Sequence, residues 1–236
     1  MGEKCTAIIL AAGQGRRMGS KIPKQFLHLR EYPVLYYSLK CFQECEWISD
    51  MVLVTNQENL EYVEKEIVDK YSFTKVRKII EGGKERYDSV YAGLKECESS
   101  DYVFVHDGAR PFVTQEILER ILEGVKKYGA CIAGMPTKDT IKIADEEGCV
   151  LSTPVRERVW TIQTPQAFSF SLLKAAHDSI RKKEMTEITD DAMIVEQETK
   201  NKVKLVAGAY ENLKITTPED LKVAESILQM RDLQKI

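Results

Sequence analysis

Glycines and positively charged side chains lie close together just after the first apolar run of the sequence. Residues 11–19 read AAGQGRRMG, and the tripeptide PKQ follows at residues 23–25. A glycine-rich loop that follows the first strand of a parallel sheet is a common binding place for phosphate groups. Arg16, Arg17 and Lys24 add positive charge that suits a polyphosphate better than a nicotinamide dinucleotide. The loop is therefore a candidate phosphate site, and a surface turn with solvated arginines is the open alternative.

This loop does not fit two common phosphate-binding patterns. The dinucleotide pattern G-x-G-x-x-G fails because Met18 stands where the third glycine belongs. The P-loop pattern, G-x-x-x-x-G-K followed by serine or threonine, cannot be placed on the segment either. The sequence therefore disfavours a dinucleotide-dependent oxidoreductase.

A second group of polar residues follows the apolar segment at residues 101–106. Asp107 comes directly after it, and an aspartate at the end of a central strand can bind Mg²⁺ when phosphate oxygens complete the coordination. Arg110, two residues after Gly108, could hold a second phosphate group. The alternative is an aspartate that only orders the turn before the next helix. Asp107 and the glycine-rich loop both follow predicted strands of one sheet, so both would lie at its carboxyl edge. Ligands bind at that edge in such sheets, which favours a binding role for Asp107.

Paired glycines mark a third candidate loop. Gly82 and Gly83 precede a predicted helix that contains Ser89. Glycines let the backbone approach a flat nucleotide base, and a serine hydroxyl can hydrogen-bond a base or a sugar. An ordinary strand-to-helix turn would have the same features, so this loop supports a nucleotide site only together with the other two.

Alternating apolar and amphipathic segments predict the elements that would position these loops. Five apolar segments, most of them rich in β-branched residues, are predicted strands at 5–11, 50–55, 76–80, 101–106 and 130–135. Helices are predicted at 33–45, 57–70, 84–97 and 114–128. The alternation implies an α/β fold with a Rossmann-like, mostly parallel twisted sheet flanked by helices. The three loops would then meet at the carboxyl edge of that sheet.

The alternation stops after residue 136, where a hairpin is predicted. Two half-apolar segments, 140–144 and 149–155, flank the turn sequence DEEG. The hairpin is too polar to belong to the main core, so we expect it to project from the sheet. No linker or repeat is visible, and we therefore expect a single domain over residues 1–236 with a β-arm at 137–157.

The remaining segments complete the predicted sheet and helices. A loop containing the sequence QTPQ is predicted at residues 163–166. Helices are predicted at 169–183 and 189–198, and a strand at 202–206. A last helix is predicted to start at residues 217–220. Thr217 can cap it, Pro218 suits the first helical position, and Asp220 completes a box-like cap.

Composition excludes several classes of function. The chain has 236 residues and a net charge of −3, whereas a dedicated nucleic-acid-binding domain is usually strongly basic. No apolar run approaches the ~20 residues of a membrane span. Six cysteines without a CxxC pair argue against structural zinc and suit a reducing compartment. We expect a cytoplasmic protein that binds neither nucleic acid nor membranes.

Taken in order, these motifs resemble those of the sugar-phosphate nucleotidyltransferases, which use A-x-G-x-G-x-R-M followed by P-K. The matching segments extend from residue 11 to residue 221 and read AAGQGRRMG, PKQF, EGGKERYDSV, VHDGARPF, KDTIK, WTIQTPQAF, TDDA and ENLKITTPEDL. Within that superfamily they are similar to the 2-C-methyl-D-erythritol 4-phosphate cytidylyltransferase family of the non-mevalonate isoprenoid pathway. The alternatives are the related ribitol-5-phosphate cytidylyltransferases and a non-catalytic nucleotide-binding domain.

The resemblance implies a reaction and residues that perform it. CMP would pass from CTP to 2-C-methyl-D-erythritol 4-phosphate, a sugar-alcohol phosphate, with release of pyrophosphate. Arg17 and Lys24 would stabilise the transition state, and Asp107 would bind Mg²⁺. CTP would be held by Ala12, Gly13, Gly15, Gly83, Ser89 and Gly108. The acceptor would be positioned by Arg110, Thr140, Arg156 and Lys214, with Thr164 near the reacting phosphates.

The resemblance also implies that the hairpin is an arm exchanged between the subunits of a homodimer. Thr140 and Arg156 would then reach the site of the partner subunit. A second carboxylate ligand for Mg²⁺ is not evident from the sequence. Only three histidines occur, and they are far apart, which suits a reaction that needs fixed cations rather than proton transfer.

Overall fold

The computed structural model describes residues 2–13, 15, 18–19, 22–183 and 188–233. Its strands are β1 (Cys5–Leu10), β2 (His28–Leu29), β3 (Tyr32–Pro33), β4 (Ile48–Thr55), β5 (Val76–Glu81), β6 (Tyr102–Asp107), β7 (Ala130–Pro136), β8 (Ile143–Ala144), β9 (Val150–Ser152), β10 (Trp160–Ser169) and β11 (Lys204–Ala207). Seven of them form the central sheet in the order β11-β7-β10-β6-β1-β4-β5. β10 alone among these seven strands runs antiparallel to its neighbours, so the predicted mostly parallel sheet is confirmed.

The position of β1 explains why the candidate loops meet. β1 lies between β4 and β6 and is parallel to both, and Leu10 at its end is level with Val54 and Asp107. β5 is parallel to β4 on the other side. Since the carboxyl ends of parallel strands share one edge, the loops that follow β1, β4, β5 and β6 leave the sheet side by side.

Helices cover both faces of the sheet. They are α1 (Val34–Glu44), α2 (Leu60–Tyr62, continuing as a π-helical segment over Val63–Asp69), α3 (Arg86–Leu94), α4 (Gln115–Tyr128), α5 (Phe170–Ile180), α6 (Asp191–Glu198) and α7 (Pro218–Leu233). Ile9 packs in one core cluster with Phe42 and Ile121, whereas Ile8 packs in another with Val90. Successive strand side chains point to opposite faces, so one apolar strand supports both helix layers.

The predicted loop around QTPQ is wrong, because this segment lies within β10. β10 pairs with β6 and with β7 and is therefore internal to the sheet. Gln163, Thr164 and Gln166 are buried and form side-chain hydrogen bonds that compensate their burial. The apolar pattern that predicts a buried strand is absent here, because other segments supply hydrogen-bond partners to its polar side chains. The sequence of the segment therefore resembles that of a loop.

The predicted hairpin is confirmed, with shorter strands than expected. β8 and β9 pair antiparallel as a separate two-stranded sheet. Large apolar side chains are exposed on and beside it, namely Ile141, Ile143, Val150, Leu151 and Val155. The hairpin is therefore not packed into the core of its own chain.

The start of the last helix is also as predicted. α7 begins at Pro218, and the Asp220 carboxylate accepts hydrogen bonds of 2.8 Å from the backbone N–H groups of both Thr216 and Thr217. These bonds satisfy backbone donors that the helix itself leaves unpaired. Among the described residues, no helix has the length and apolar character needed to cross a membrane.

Candidate active site

A cavity of about 600 Å³ opens at the carboxyl edge of the sheet. It is lined by Leu10, Ala12, Gly13, Gly15, Lys24, Gln25, Asn56, Gly83, Lys84, Glu85, Arg86, Ser89, Asp107, Ala109 and Lys214. These residues come from the loops after β1, β4, β5 and β6 and from the segment before α7. The three loops identified in the sequence therefore form one site.

The glycine-rich loop is folded back against Lys24. Gly15 has a φ of +61°, a conformation that glycine adopts without strain, and a side chain there would meet the Lys24 backbone nitrogen at 3.3 Å. Lys24 lies in a short 3-10 turn and is only 9% exposed. The neighbouring Gln25 donates a hydrogen bond of 2.5 Å to the Ala11 carbonyl, which ties the turn to the end of β1. Arg17, the other predicted catalytic residue, lies outside the described residues.

Asp107 is surrounded by three cations. Its Oδ2 lies 2.9 Å from the Lys214 ammonium and 3.6 Å from Arg110 Nε, and its Oδ1 lies 3.5 Å from Arg86 Nε. Burial alone would raise the pKa of Asp107, but the charges of Lys214, Arg86 and Arg110 outweigh it and hold that pKa well below its usual range. The carboxylate is therefore ionised at neutral pH.

Arg86 is fixed by a second carboxylate behind the cavity. Its Nη1 donates to Oδ2 of the fully buried Asp191 at 2.7 Å. Burial acts to lower the pKa of Arg86, and the charges of Asp191 and Asp107 reverse this and raise it. The guanidinium is thus a permanent cation in the cavity wall.

His106 and Thr164 support Asp107 from the buried side. The Thr164 hydroxyl oxygen accepts a hydrogen bond from the Asp107 backbone N–H at 3.0 Å and lies 3.1 Å from His106 Nδ1. His106 Nε2 lies 3.3 Å from the Arg110 carbonyl, which can only accept, so Nε2 carries the proton and Nδ1 accepts from Thr164. Burial lowers the pKa of His106 to about 4. At neutral pH this histidine is uncharged, and its hydrogen bonds connect Thr164 to the Arg110 carbonyl.

The third loop turns tightly before α3. Gly83 N–H donates to the Ser89 hydroxyl at 3.1 Å, and Glu85 and Asp88 form a capping box at the helix start. A side chain at Gly82 would lie 2.7 Å from the Ser89 oxygen, so the backbone needs a glycine there. Ser89 therefore both orders this turn and faces the cavity.

The structure separates the predicted site residues into three groups. Eight of them line the cavity, namely Ala12, Gly13, Gly15, Lys24, Gly83, Ser89, Asp107 and Lys214. Gly108, Arg110 and Thr164 lie behind the cavity wall rather than on it. Thr140 and Arg156 are exposed on the hairpin arm and are not among the residues that line the cavity. Their predicted role in the site of a partner subunit stays a prediction.

Several residues of the site were missed by sequence reasoning. Asn56 follows β4 at the same edge as the other loops, and that position alone could have indicated it. Lys84 and Arg86 also line the cavity, and they belong to the third loop. Their positive charges, beside the paired glycines, could have indicated them. Asp191, in contrast, lies in the matching TDDA segment, and it reaches the site through Arg86, which is 105 residues away in sequence.

Two glycines with the same predicted role are expected to respond differently to alanine. Gly108→Ala places a Cβ 2.7 Å from Leu35 Cδ1 and 3.1 Å from the Leu10 carbonyl, so we expect a loss of stability of about 1–3 kcal/mol. Gly13→Ala meets no atom within 4 Å and should leave stability unchanged while weakening the binding of CTP, the nucleotide that the sequence resemblance implies. Thermal denaturation and CTP titration of both variants measure this. Normal CTP affinity in Gly13→Ala would show that Gly13 does not contact the nucleotide.

An α/β sheet whose carboxyl edge holds a glycine-lined cavity with converging cations defines a protein that binds a nucleotide or a similar phosphate ester. Comparison with known proteins narrows this class. A family profile described as 2-C-methyl-D-erythritol 4-phosphate cytidylyltransferase matches residues 5–230. The protein of that name from Lachnoclostridium phytofermentans is 49% identical over 227 residues, which cover 96% of this chain and 97% of the relative. One from Clostridium botulinum (strain 657 / Type Ba4) is 47% identical over 227 residues, covering 96% and 98%.

Solved structures agree with this assignment. The 4-diphosphocytidyl-2C-methyl-D-erythritol synthase of Anaerococcus prevotii has a TM-score of 0.85 and 34% identity, with 96% of each chain covered. The 2-C-methyl-D-erythritol 4-phosphate cytidylyltransferase of Thermus thermophilus has a TM-score of 0.77 and 31% identity, covering 96% of this chain and 99% of the other. The chain belongs to the 2-C-methyl-D-erythritol 4-phosphate cytidylyltransferase family. It is a nucleotidyltransferase for CTP-dependent CMP transfer in isoprenoid biosynthesis, as the sequence resemblance predicted.

Proposed function

We propose that this chain transfers CMP from CTP to 2-C-methyl-D-erythritol 4-phosphate in the cavity at the carboxyl edge of its sheet. The observation that carries this proposal is the convergence of Lys24, Arg86 and Lys214 on one cavity beside Asp107. Both substrates carry phosphate groups, and fixed cations are what two anionic reactants need in order to approach each other.

The glycine loops suit the nucleotide. Gly13 has open space beside it, and Gly83 and Ser89 line the cavity next to the start of α3. We assign the triphosphate to the loop after β1, near Lys24, and the cytidine to the loop before α3. Backbone N–H groups and small side chains allow the close approach that both groups require.

The chemistry needs charge compensation rather than a general base. The acceptor is a phosphate monoester that is mostly dianionic at neutral pH. One of its oxygens forms a bond to the α-phosphorus of CTP, while the bond from that phosphorus to the bridging oxygen breaks and pyrophosphate leaves with the electron pair. Lys24 and Arg17 would stabilise the charge that builds up on the α-phosphoryl group, and Lys214 would orient the acceptor phosphate.

A divalent cation, which we propose to be Mg²⁺, fits this site with one protein ligand. No group of three or more histidine, cysteine, aspartate or glutamate side chains suited to a metal is found among the described residues. Mg²⁺ in nucleotide enzymes is commonly held by one or two carboxylates, with phosphate oxygens and water completing the shell. Asp107, which is ionised and faces the cavity, would hold it and so neutralise charge on the triphosphate.

The hairpin arm would complete the site in a homodimer. Its exposed apolar side chains, such as Ile143, Val150 and Leu151, suit an interface with a second copy. Exchange of arms would bring Thr140 and Arg156 to the partner subunit's cavity, where Arg156 could bind the acceptor phosphate. We also propose a cytoplasmic location, which is supported by six free cysteines that form no disulfide.

Release of pyrophosphate distinguishes this function from its alternatives. The chain with CTP and Mg²⁺ should release pyrophosphate when 2-C-methyl-D-erythritol 4-phosphate is added and much more slowly with D-ribitol 5-phosphate. A higher kcat/KM for ribitol 5-phosphate would contradict the proposed acceptor. Binding of CTP without pyrophosphate release from either acceptor would instead identify a non-catalytic nucleotide-binding protein.

A further inference from the structure

The loop that carries Lys214 is held by buried hydrogen bonds from β10. We infer that Asn212, together with Gln163, is a positioning residue that places Lys214 beside Asp107 for the reaction. This inference rests on the proposed role of Lys214 in holding the acceptor phosphate. It assigns a function to two polar residues that do not themselves line the cavity.

Asn212 connects three parts of the site wall. Its side chain is fully buried, and its Nδ2 donates to the Thr164 carbonyl at 2.9 Å and to Gln163 Oε1 at 3.2 Å. Its own carbonyl accepts a hydrogen bond of 2.8 Å from Arg110 Nη1. Thr164 and Arg110 are the residues that contact Asp107 from behind, so Asn212 fixes its loop relative to Asp107, which pairs with Lys214 at 2.9 Å.

Gln163 holds the beginning of the same loop. Its Nε2 donates to the Ala209 carbonyl at 2.7 Å, and its Oε1 accepts from the Ala209 N–H at 3.4 Å. A side chain at Gly208 would lie 2.3 Å from Gln163 Oε1, so the glutamine packs directly on the backbone. Gly208 N–H in turn donates to the Gly134 carbonyl at 2.9 Å. The loop is therefore attached to the sheet along this side.

Lys214 lies between two of these attachment points. Asn212 precedes it by two residues, and the next residue, Ile215, donates its N–H to the Ala109 carbonyl at 2.9 Å. The Lys214 side chain is 36% exposed and has a long flexible stem, so its own packing does not fix the ammonium group. The position of the backbone decides which groups the ammonium can reach, and that position is set by Asn212 and Ile215.

The hydrogen bonds of Asn212 hold its side chain in one orientation. Its Nδ2 donates two bonds, whereas its Oδ1 is buried without a hydrogen-bond partner in the described structure. Both N–H groups of the amide are committed to β10, so the side chain cannot turn without losing two hydrogen bonds.

A double-mutant cycle tests the coupling between Asn212 and Lys214. Lys214→Ala should lower kcat/KM for the acceptor by about 10²-fold, because the ammonium group is lost. Asn212→Ala should lower it by about tenfold, because a Lys214 ammonium that is less well positioned stabilises the reacting phosphates less. In the Lys214→Ala background, Asn212→Ala should cost less than about twofold, since residues that act through one another are not additive. The KM for CTP should change little in the Asn212 variant.

The outcomes separate this inference from the proposed function. A tenfold cost of Asn212→Ala in both backgrounds would overturn the inference and leave the proposed role of Lys214 intact. An unchanged kcat/KM in Lys214→Ala would contradict both. If Asn212→Ala does not fold, Gln163→Met replaces it in the double-mutant cycle. The loss of kcat/KM that it causes is then compared in the wild-type and Lys214→Ala backgrounds in the same way.

A buried hydrogen bond at the other end of the sheet provides the control. Thr6 is fully buried near the start of β1, and its hydroxyl donates to Asp50 Oδ1 at 2.7 Å. Thr6→Val should lower thermal stability much as Asn212→Ala does, yet leave kcat/KM for the acceptor unchanged. A similar loss of kcat/KM in Thr6→Val would show that general destabilisation causes the effect and would overturn the inference.

Discussion

Lys24→Ala is expected to lower kcat by about 10²–10³-fold while the protein remains folded. Lys24 lines the cavity from a turn that Gln25 ties to the end of β1, so its charge is placed before substrate arrives. A cation held in this way stabilises developing charge on the α-phosphoryl group without a cost of reorganisation during the reaction. Single-turnover measurements of CMP transfer at saturating CTP give the effect on the chemical step.

Two controls make the result of Lys24→Ala interpretable. Lys70→Ala removes an exposed lysine that pairs with Glu66 at 3.4 Å on the helical segment after β4, and its turnover should equal that of the wild type. Thermal denaturation of Lys24→Ala should show a folded protein with a cooperative transition. Unchanged turnover in Lys24→Ala would remove Lys24 from the catalytic groups.

Hybrid dimers of two impaired variants are expected to recover activity. Arg156→Ala should weaken use of the acceptor with near-normal CTP binding, and Lys24→Ala should lose turnover. If arms cross between subunits, the Arg156→Ala subunit keeps its own Lys24 and receives an intact Arg156 from its partner. The other site of the hybrid then carries both substitutions.

The size of the recovery follows from random exchange. Half of the dimers in an equal mixture are hybrids and each has one intact site, so about a quarter of wild-type activity should return. Mixing Lys24→Ala with Lys214→Ala is the matched control, because both residues line the same cavity of one chain and no hybrid site is intact. Absence of recovery in the Arg156→Ala mixture, despite demonstrated subunit exchange, would contradict the shared site.

Much of the fold could be predicted because its signals are local. The strand at residues 101–106 is a continuous apolar run, and it appears as β6 over Tyr102–Asp107. Asp220 caps α7 through backbone groups only three and four residues before it, so a short motif indicated that helix start. The hairpin was predicted from a turn sequence between two short segments, and β8 and β9 confirm it.

The interior polar contacts could not be predicted in the same way. Gln163 and Thr164 have the composition of a loop, and they become parts of β10 because Ala209, Asn212 and His106 supply their hydrogen bonds. These partners come from segments far away along the chain. No pattern within a window of a few residues reports such a bond.

By itself, the sequence determined the kind of chemistry: glycine loops after strands, an aspartate at a strand end and lysines in the same motifs indicate a phosphate site in an α/β sheet. The tertiary structure decided which of these groups face the ligand. It places the Lys214 ammonium 2.9 Å from the Asp107 carboxylate. Gly108 and Arg110 lie behind the cavity wall, and Arg156 lies on an exposed arm. The physical reason is that spacing along the chain specifies local conformation, whereas the direction and charge environment of a side chain depend on what distant segments pack against it.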